Sequence, residues 1–130
     1  MRRSVTFGGV GSPMVMICSQ DLDALDDGAL DRLPFGVVAL DERLQVVRMN
    51  RAESEASGIQ RWRAIGRDFF GDVAPGPTNR ALADHVRAFR AGEAPCAAVS
   101  HVFKRRAGAD ATQIELVRGR DASVYLCIRR

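Results

Sequence analysis

The sequence predicts an α+β fold: a five-stranded antiparallel sheet with short helices and one long connecting helix on one face, preceded by an N-terminal helical cap. Three observations carry this expectation. Two short β-branched runs, 35–40 and 44–49, flank the polar turn "DER". Three runs with alternating apolar residues, 96–105, 111–119 and 122–129, close the chain. Only helical signals lie between the two strand groups, the longest at 78–91.

Residues 1–20 are glycine-rich and aperiodic, and read as a flexible or partly ordered arm before a single domain over 21–130. Ser19 suits a helix N-cap, with aspartates in the first turn favoured by the helix dipole. Leu22, Leu25, Leu30 and Leu33 give a cap helix over 21–33 an intermittent apolar stripe. Gly28 weakens it, so two short helices also fit, and Pro34 stops it. The two β-branched runs then pair as a hairpin. Residues 51–57 predict a short helix with Gly58 as its C-cap, and "RWRAIG" another turn closed by Gly66. "FFGDVAPGP" (69–77) packs two aromatics, two prolines and two glycines into a shaped loop. After Pro77, Leu82, Val86 and Phe89 recur at helical spacing until Gly92. In the closing strands, Val99, His101 and Phe103 share one face, as do Ile114 and Leu116, and Val124, Leu126 and Ile128.

One domain is what 130 residues allow, and 46% apolar content suffices for a core. Net charge is +3 but unevenly spread: residues 1–34 carry −2 and residues 35–130 carry +5. An acidic N-terminal segment can lie against a basic body or a partner, or simply be solvated. Cys18, Cys96 and Cys127 are odd in number and form no CxxC, so the expectation is reduced, buried apolar thiols, no zinc site and a cytoplasmic protein. No apolar run is long enough for a membrane span, and Gly8, Gly9, Gly11 and Pro13 interrupt a signal-peptide pattern. "GGVG" lacks the Lys-Ser/Thr of a phosphate loop, and GxSxG and HExxH are missing. "FKRRAG" is one basic cluster at a strand end, which argues for edge-strand charge and against nucleic-acid binding.

The element order is that of a PAS domain, and four stretches resemble the photoactive yellow protein family within it. They are "LDDGALDRLPFGVVALD" (25–41), "NRAESEASG" (50–58), "IGRDFFGDVAPG" (65–76) and "SVYLCIRR" at the last strand, and "VTFGG" is similar to that family's N-terminal cap. The resemblance implies a bacterial sensor for signal transduction. In that family a cysteine ending the third stretch carries a thioester-linked 4-hydroxycinnamoyl chromophore. Here the matching residue is Gly76, which has no thiol. The family's phenolate partners, a tyrosine, a glutamate and a threonine, match Met49, Glu53 and Ser57, and its gating arginine matches Ile59. With Phe69, Phe70 and Phe103 these residues form the expected ligand pocket, without metal or cofactor.

Each of these residues also has a plainer reading. Glu53 either faces an apolar pocket, where its pKa would rise, or sits on a helix surface paired with an arginine. Ser57 either meets a ligand or bonds its own backbone, and Met49 is core packing or a flexible pocket wall. His85 lies nearer the helix C-terminus than the haem-ligating histidine of some PAS domains, and reads as an exposed helix residue; His101 lines a pocket or sits on the sheet. The expected function is a sensory or regulatory domain without covalent chromophore. It would bind a small organic ligand reversibly, or a protein partner, or form a homodimer. The alternative is a small enzyme acting on an aromatic or acyl substrate, with Glu53 as general acid or base.

Overall fold

The computed structural model of the chain describes residues 21–105 and 108–130. The expected arm over 1–20, the Ser19 cap and the "VTFGG" similarity lie outside the described residues.

The five strands are β1 (Gly36–Leu40), β2 (Val46–Met49), β3 (Cys96–Arg105), β4 (Gly108–Arg118) and β5 (Val124–Arg129). They form one antiparallel sheet in the order β2-β1-β5-β4-β3. The first and last strands in sequence therefore pair at its centre, with Val38 opposite Leu126. β2 is an edge strand, but Gly66–Phe69 runs along it: Gly66 N–H donates to Val46 O at 2.7 Å, and Phe69 N–H to Leu44 O at 2.9 Å.

Four helices complete the order: α1 (Asp27–Asp31), α2 (Arg51–Ser57), α3 (Arg61–Ala64) and α4 (Asn79–Ala91). The alternating strand residues Ile114, Leu116, Val124, Leu126 and Ile128 meet Leu82, Val86 and Phe89 of α4 in one core. Gly58 ends α2 with φ 77°, a left-handed conformation in which a side chain would strain the backbone. At the other end of α4, Arg118 reaches across from β4, donates to the carbonyls of Phe89, Arg90 and Gly92, and stacks on the Phe89 ring.

Helices α3 and α4 pack on one face of the sheet as expected, and the N-terminal cap packs on the other. The sheet is covered on both faces, because strands apolar on both sides cannot leave one in water. Leu22, Leu30 and Phe35 pack on Val37, Ala39, Val117, Tyr125 and Cys127. The cap takes the two-piece arrangement that Gly28 allowed, a 3₁₀ turn at Leu22–Ala24 and then α1, whose own N-cap is Asp26, accepting from Ala29 N–H at 2.8 Å. One boundary differs: β4 begins at Gly108, three residues before the expected 111. Among the cysteines, Cys127 is a buried free thiol whose pKa burial pushes up to about 12, but Cys96 is disulfide-bonded, against the expectation of reduced thiols throughout. No described helix is long and apolar enough to cross a membrane.

Arg48 fastens the cap to the sheet. It donates to Leu22 O and Leu25 O at 3.1 and 2.7 Å, and to the Tyr125 hydroxyl at 2.9 Å. Tyr125 in turn donates to Asp23 Oδ1 at 2.9 Å.

Candidate functional site

The site starts from one helix N-terminus. Asn50 is fully buried and caps α2, its Oδ1 accepting from Glu53 N–H at 3.1 Å and from Val37 N–H at 2.9 Å. Its Nδ2 donates to Leu30 O and Phe35 O. In a capping box the residue three positions on would reach back to the cap's own N–H. Here Val37 O already accepts that N–H at 3.0 Å, so the Glu53 side chain is released from capping and turns inward. Glycine at position 36 makes room for it, since a Cβ there would collide with the carboxylate.

Glu53 is 4% exposed and pairs with Arg130, which donates to Oε1 at 2.7 Å and to Oε2 at 3.3 Å. Arg130 Nε donates to Asp110 Oδ2 at 3.1 Å, and its guanidinium lies 5.9 Å from the Phe103 ring centre. Burial raises the Glu53 pKa above its ordinary value; Arg130 opposes the rise and Asp110 adds to it. Burial alone would lower the Arg130 pKa, but its hydrogen bonds and charge pairing, first with Glu53 and then with Asp110, raise it. The two plain readings of Glu53 thus merge: it is buried at a pocket and also paired with an arginine.

A cavity of about 240 Å³ opens beside this pair. Ile59, Phe69, Val73, Ala74, Pro75 and Phe103 give it apolar walls, while Glu53, Ser57, Asn79, Lys104, Asp110 and Arg130 supply polar groups. Of the sequence-derived set, Glu53, Ser57, Ile59, Phe69 and Phe103 meet here. Met49 does not line the cavity: it is 3% exposed inside the core. Phe70 and Gly76 line a separate surface cavity of about 450 Å³ against Arg80, Ala83 and Arg87 of α4. The reason is local. Phe69–Val73 forms a π-helical turn, with Ala74 N–H donating to Phe69 O, so the two phenylalanines pack edge-on at 90° and point to different cavities. Gly76 has φ +131°, and a Cβ there would meet nothing within 4 Å.

Ser57 Oγ accepts from Ile59 N–H at 3.2 Å and lines the cavity, so it serves backbone and pocket together. Sequence reasoning missed Asn79, whose Nδ2 donates to Ala74 O at 2.8 Å and whose Oδ1 faces His101 Nε2 at 2.7 Å. With Nδ2 committed to a carbonyl, Nε2 is the protonated nitrogen of His101. Burial, and then His85, lower the His101 pKa, which favours this neutral form. His101, Asn79 and the Ala74–Pro75 backbone thus brace one cavity wall. His85 is exposed on α4. Arg130 was also missed, although alternation from Val124 through Ile128 carries it to the same face.

Comparison with known proteins agrees with this fold. The photoactive yellow protein of Rhodobacter capsulatus is 37% identical over 60 residues, which is 44% of this chain and 48% of that protein. That of Rhodothalassium salexigens is 39% identical over 51 residues, 39% of this chain and 41% of that protein. These matches span less than half the length of the curated relatives. The solved photoactive yellow protein domain of the sensor histidine kinase Ppr from Rhodospirillum centenum superposes with a TM-score of 0.69 at 27% identity, covering 83% of this chain and 96% of that one. The PAS domain of the RpfR quorum-sensing receptor from Cronobacter turicensis, solved with BDSF, gives a TM-score of 0.62 at 20% identity over 75% of this chain and 93% of that one, a likeness of fold. The PAS fold family model matches residues 30–123, and the chain belongs to that family.

Proposed function

We propose that the chain is a sensory or regulatory PAS domain that holds a small organic ligand reversibly between α2, the π-helical turn and the β3–β4 hairpin, and passes the signal to a protein partner. The observation that carries this reading is the amphipathic cavity with buried Glu53, paired with Arg130, at its side. Apolar walls with a few convergent polar groups are what ligand sites use. At about 240 Å³ the cavity suits a ligand below the drug-sized range. Gly76, at the position the family resemblance gives to the thioester cysteine, supplies no sulfur and lies on the other cavity, which favours reversible contacts. The RpfR PAS domain, similar in fold, was solved in complex with BDSF and with C12:0, which supports the reading by analogy of fold.

Ligand contact and the cap share one helical turn. The carboxylate of Glu53 meets the cavity, while its backbone N–H is held by Asn50, which also holds the Leu30 carbonyl of α1. A ligand that competes with Arg130 for Glu53 would bias that turn and the cap packed on it.

Native mass spectrometry of the purified protein tests the reading. A bound small molecule is expected, lost under denaturing conditions and reduced about tenfold or more in occupancy by Glu53→Gln. A covalent adduct surviving denaturation, or a visible absorption band, would overturn reversible binding. A protein that never carries or takes up a ligand would be a scaffold.

A further inference from the structure

Four large hydrophobic side chains are exposed among the described residues, and three of them lie on adjoining segments, β2 and the α3 turn packed on it. Val47, Trp62 and Ile65 are 44%, 71% and 44% exposed. Trp62 and Ile65 are three residues apart at α3 and so share a face. Ile65 borders Val47, because Gly66 N–H bonds Val46 O and Val46 N–H bonds Arg67 O. The rim is cationic: residues 60–67 contain three arginines and no acid, and the Arg63 guanidinium lies 5.3 Å from the Trp62 ring centre. Exposed tryptophan framed by arginine is the composition of an interface centre, and nothing in the fold requires it.

The complement to this patch lies next to it. Residues 21–31 contain five aspartates and no basic residue. Asp21 and Asp27 point to solvent, Asp27 with 87% of its side chain exposed. The acidic cap and the basic-aromatic patch share a border, where Arg61 bonds Asp31 at 2.9 Å and Arg48 bonds Asp27 at 3.3 Å. One continuous surface therefore has an acidic half and a basic-apolar half. Rotated by 180° about an axis through that border, such a surface meets its own complement: each patch faces the partner's cap, and both contacts form at once.

We infer that this edge is a two-fold self-association surface, its occupant a second copy of the chain, with Trp62 at the centre of each half. This goes beyond the ligand reading and does not depend on it. The test uses the whole chain by sedimentation equilibrium from about 1 µM to about 1 mM. Trp62 is the only tryptophan, so its emission reports burial of the patch directly. Dimer is expected, with emission moving to the blue as it forms and the affinity falling as salt rises. Trp62→Ala is expected to raise the dimer Kd by about thirtyfold. Arg63→Glu with Arg67→Glu, and Asp21→Arg with Asp27→Arg, are each expected to be monomeric, and mixing the two is expected to restore dimer, since the reversed patch then meets the reversed cap and the unchanged cap meets the unchanged patch. All these positions are exposed, and circular dichroism checks that each variant folds. A protein that stays monomeric at about 1 mM with constant emission overturns the inference. So does a dimer insensitive to both reversals, or a monomer whose Trp62 shifts only on phosphatidylserine vesicles.

Discussion

Replacing Arg130 with methionine keeps apolar volume near the Phe103 ring and removes the cation that faces Glu53. Glu53 is 4% exposed, so without Arg130 its charge has little water to turn to. Removing one partner of a buried pair costs about 3–5 kcal/mol. The Arg130 side chain is 24% exposed and already partly hydrated, which puts the cost at the low end, about 3 kcal/mol at pH 7. For a domain of this size that lowers Tm by roughly 10–15 °C. The pH dependence has a definite sign. The folded pKa of Glu53 is raised above its unfolded value. A carboxyl of this kind destabilises nothing below its unfolded pKa, where both states hold the proton; stability is lost as pH rises towards the folded pKa. Arg130→Met raises the folded pKa further, so its penalty relative to wild type should be largest near pH 8 and shrink to about 1 kcal/mol near pH 4. Glu53→Gln introduced into Arg130→Met should regain about 2 kcal/mol at pH 7, because it removes the stranded charge. Urea unfolding of the three variants and wild type between pH 4 and 8 measures all of this. A loss independent of pH, or a double variant no more stable than Arg130→Met, would refute this account of the Glu53–Arg130 pair.

Asn50→Ala should cost about 4 kcal/mol in urea unfolding, well beyond an ordinary N-cap, since it strands Val37 N–H, Glu53 N–H and the carbonyls of Leu30 and Phe35 in the interior. A cost near 1 kcal/mol would mean that water replaces the side chain. Arg48→Met should loosen the cap, raising amide exchange in α1 about tenfold while α4 exchanges as before, because Arg48 holds the carbonyls of Leu22 and Leu25. Cys127, buried and with its thiol pKa pushed up to about 12, should resist iodoacetamide at pH 8 until urea unfolds the chain, as read by peptide mass mapping.

The parts of the fold legible in the sequence are those that periodicity and capping specify. α4 follows from Leu82, Val86 and Phe89, and the closing strands from alternation, because burial of one face imposes those spacings. What was missed depends on contacts between distant segments. Arg130 meets Glu53 across 77 residues, and no local pattern announces such a pair. β1 shows a related limit: it is buried at all five positions and reads only as a short hydrophobic run, so alternation does not tell which of its side chains meet the cap and which meet α4. The "FFGDVAPGP" stretch shows a third limit. Its composition correctly marks a shaped segment, but composition does not reveal an i→i+5 turn, and it is this turn that sends Phe69 to the Glu53 cavity and Phe70 to the outer one. Glu53 illustrates how the two levels combine. The spacing Asn50-x-x-Glu53 is a helix-start signal, which by itself gives the carboxylate a capping duty. It becomes a pocket group because β1 accepts the hydrogen bond that Glu53 would otherwise have made, and because position 36 carries no side chain.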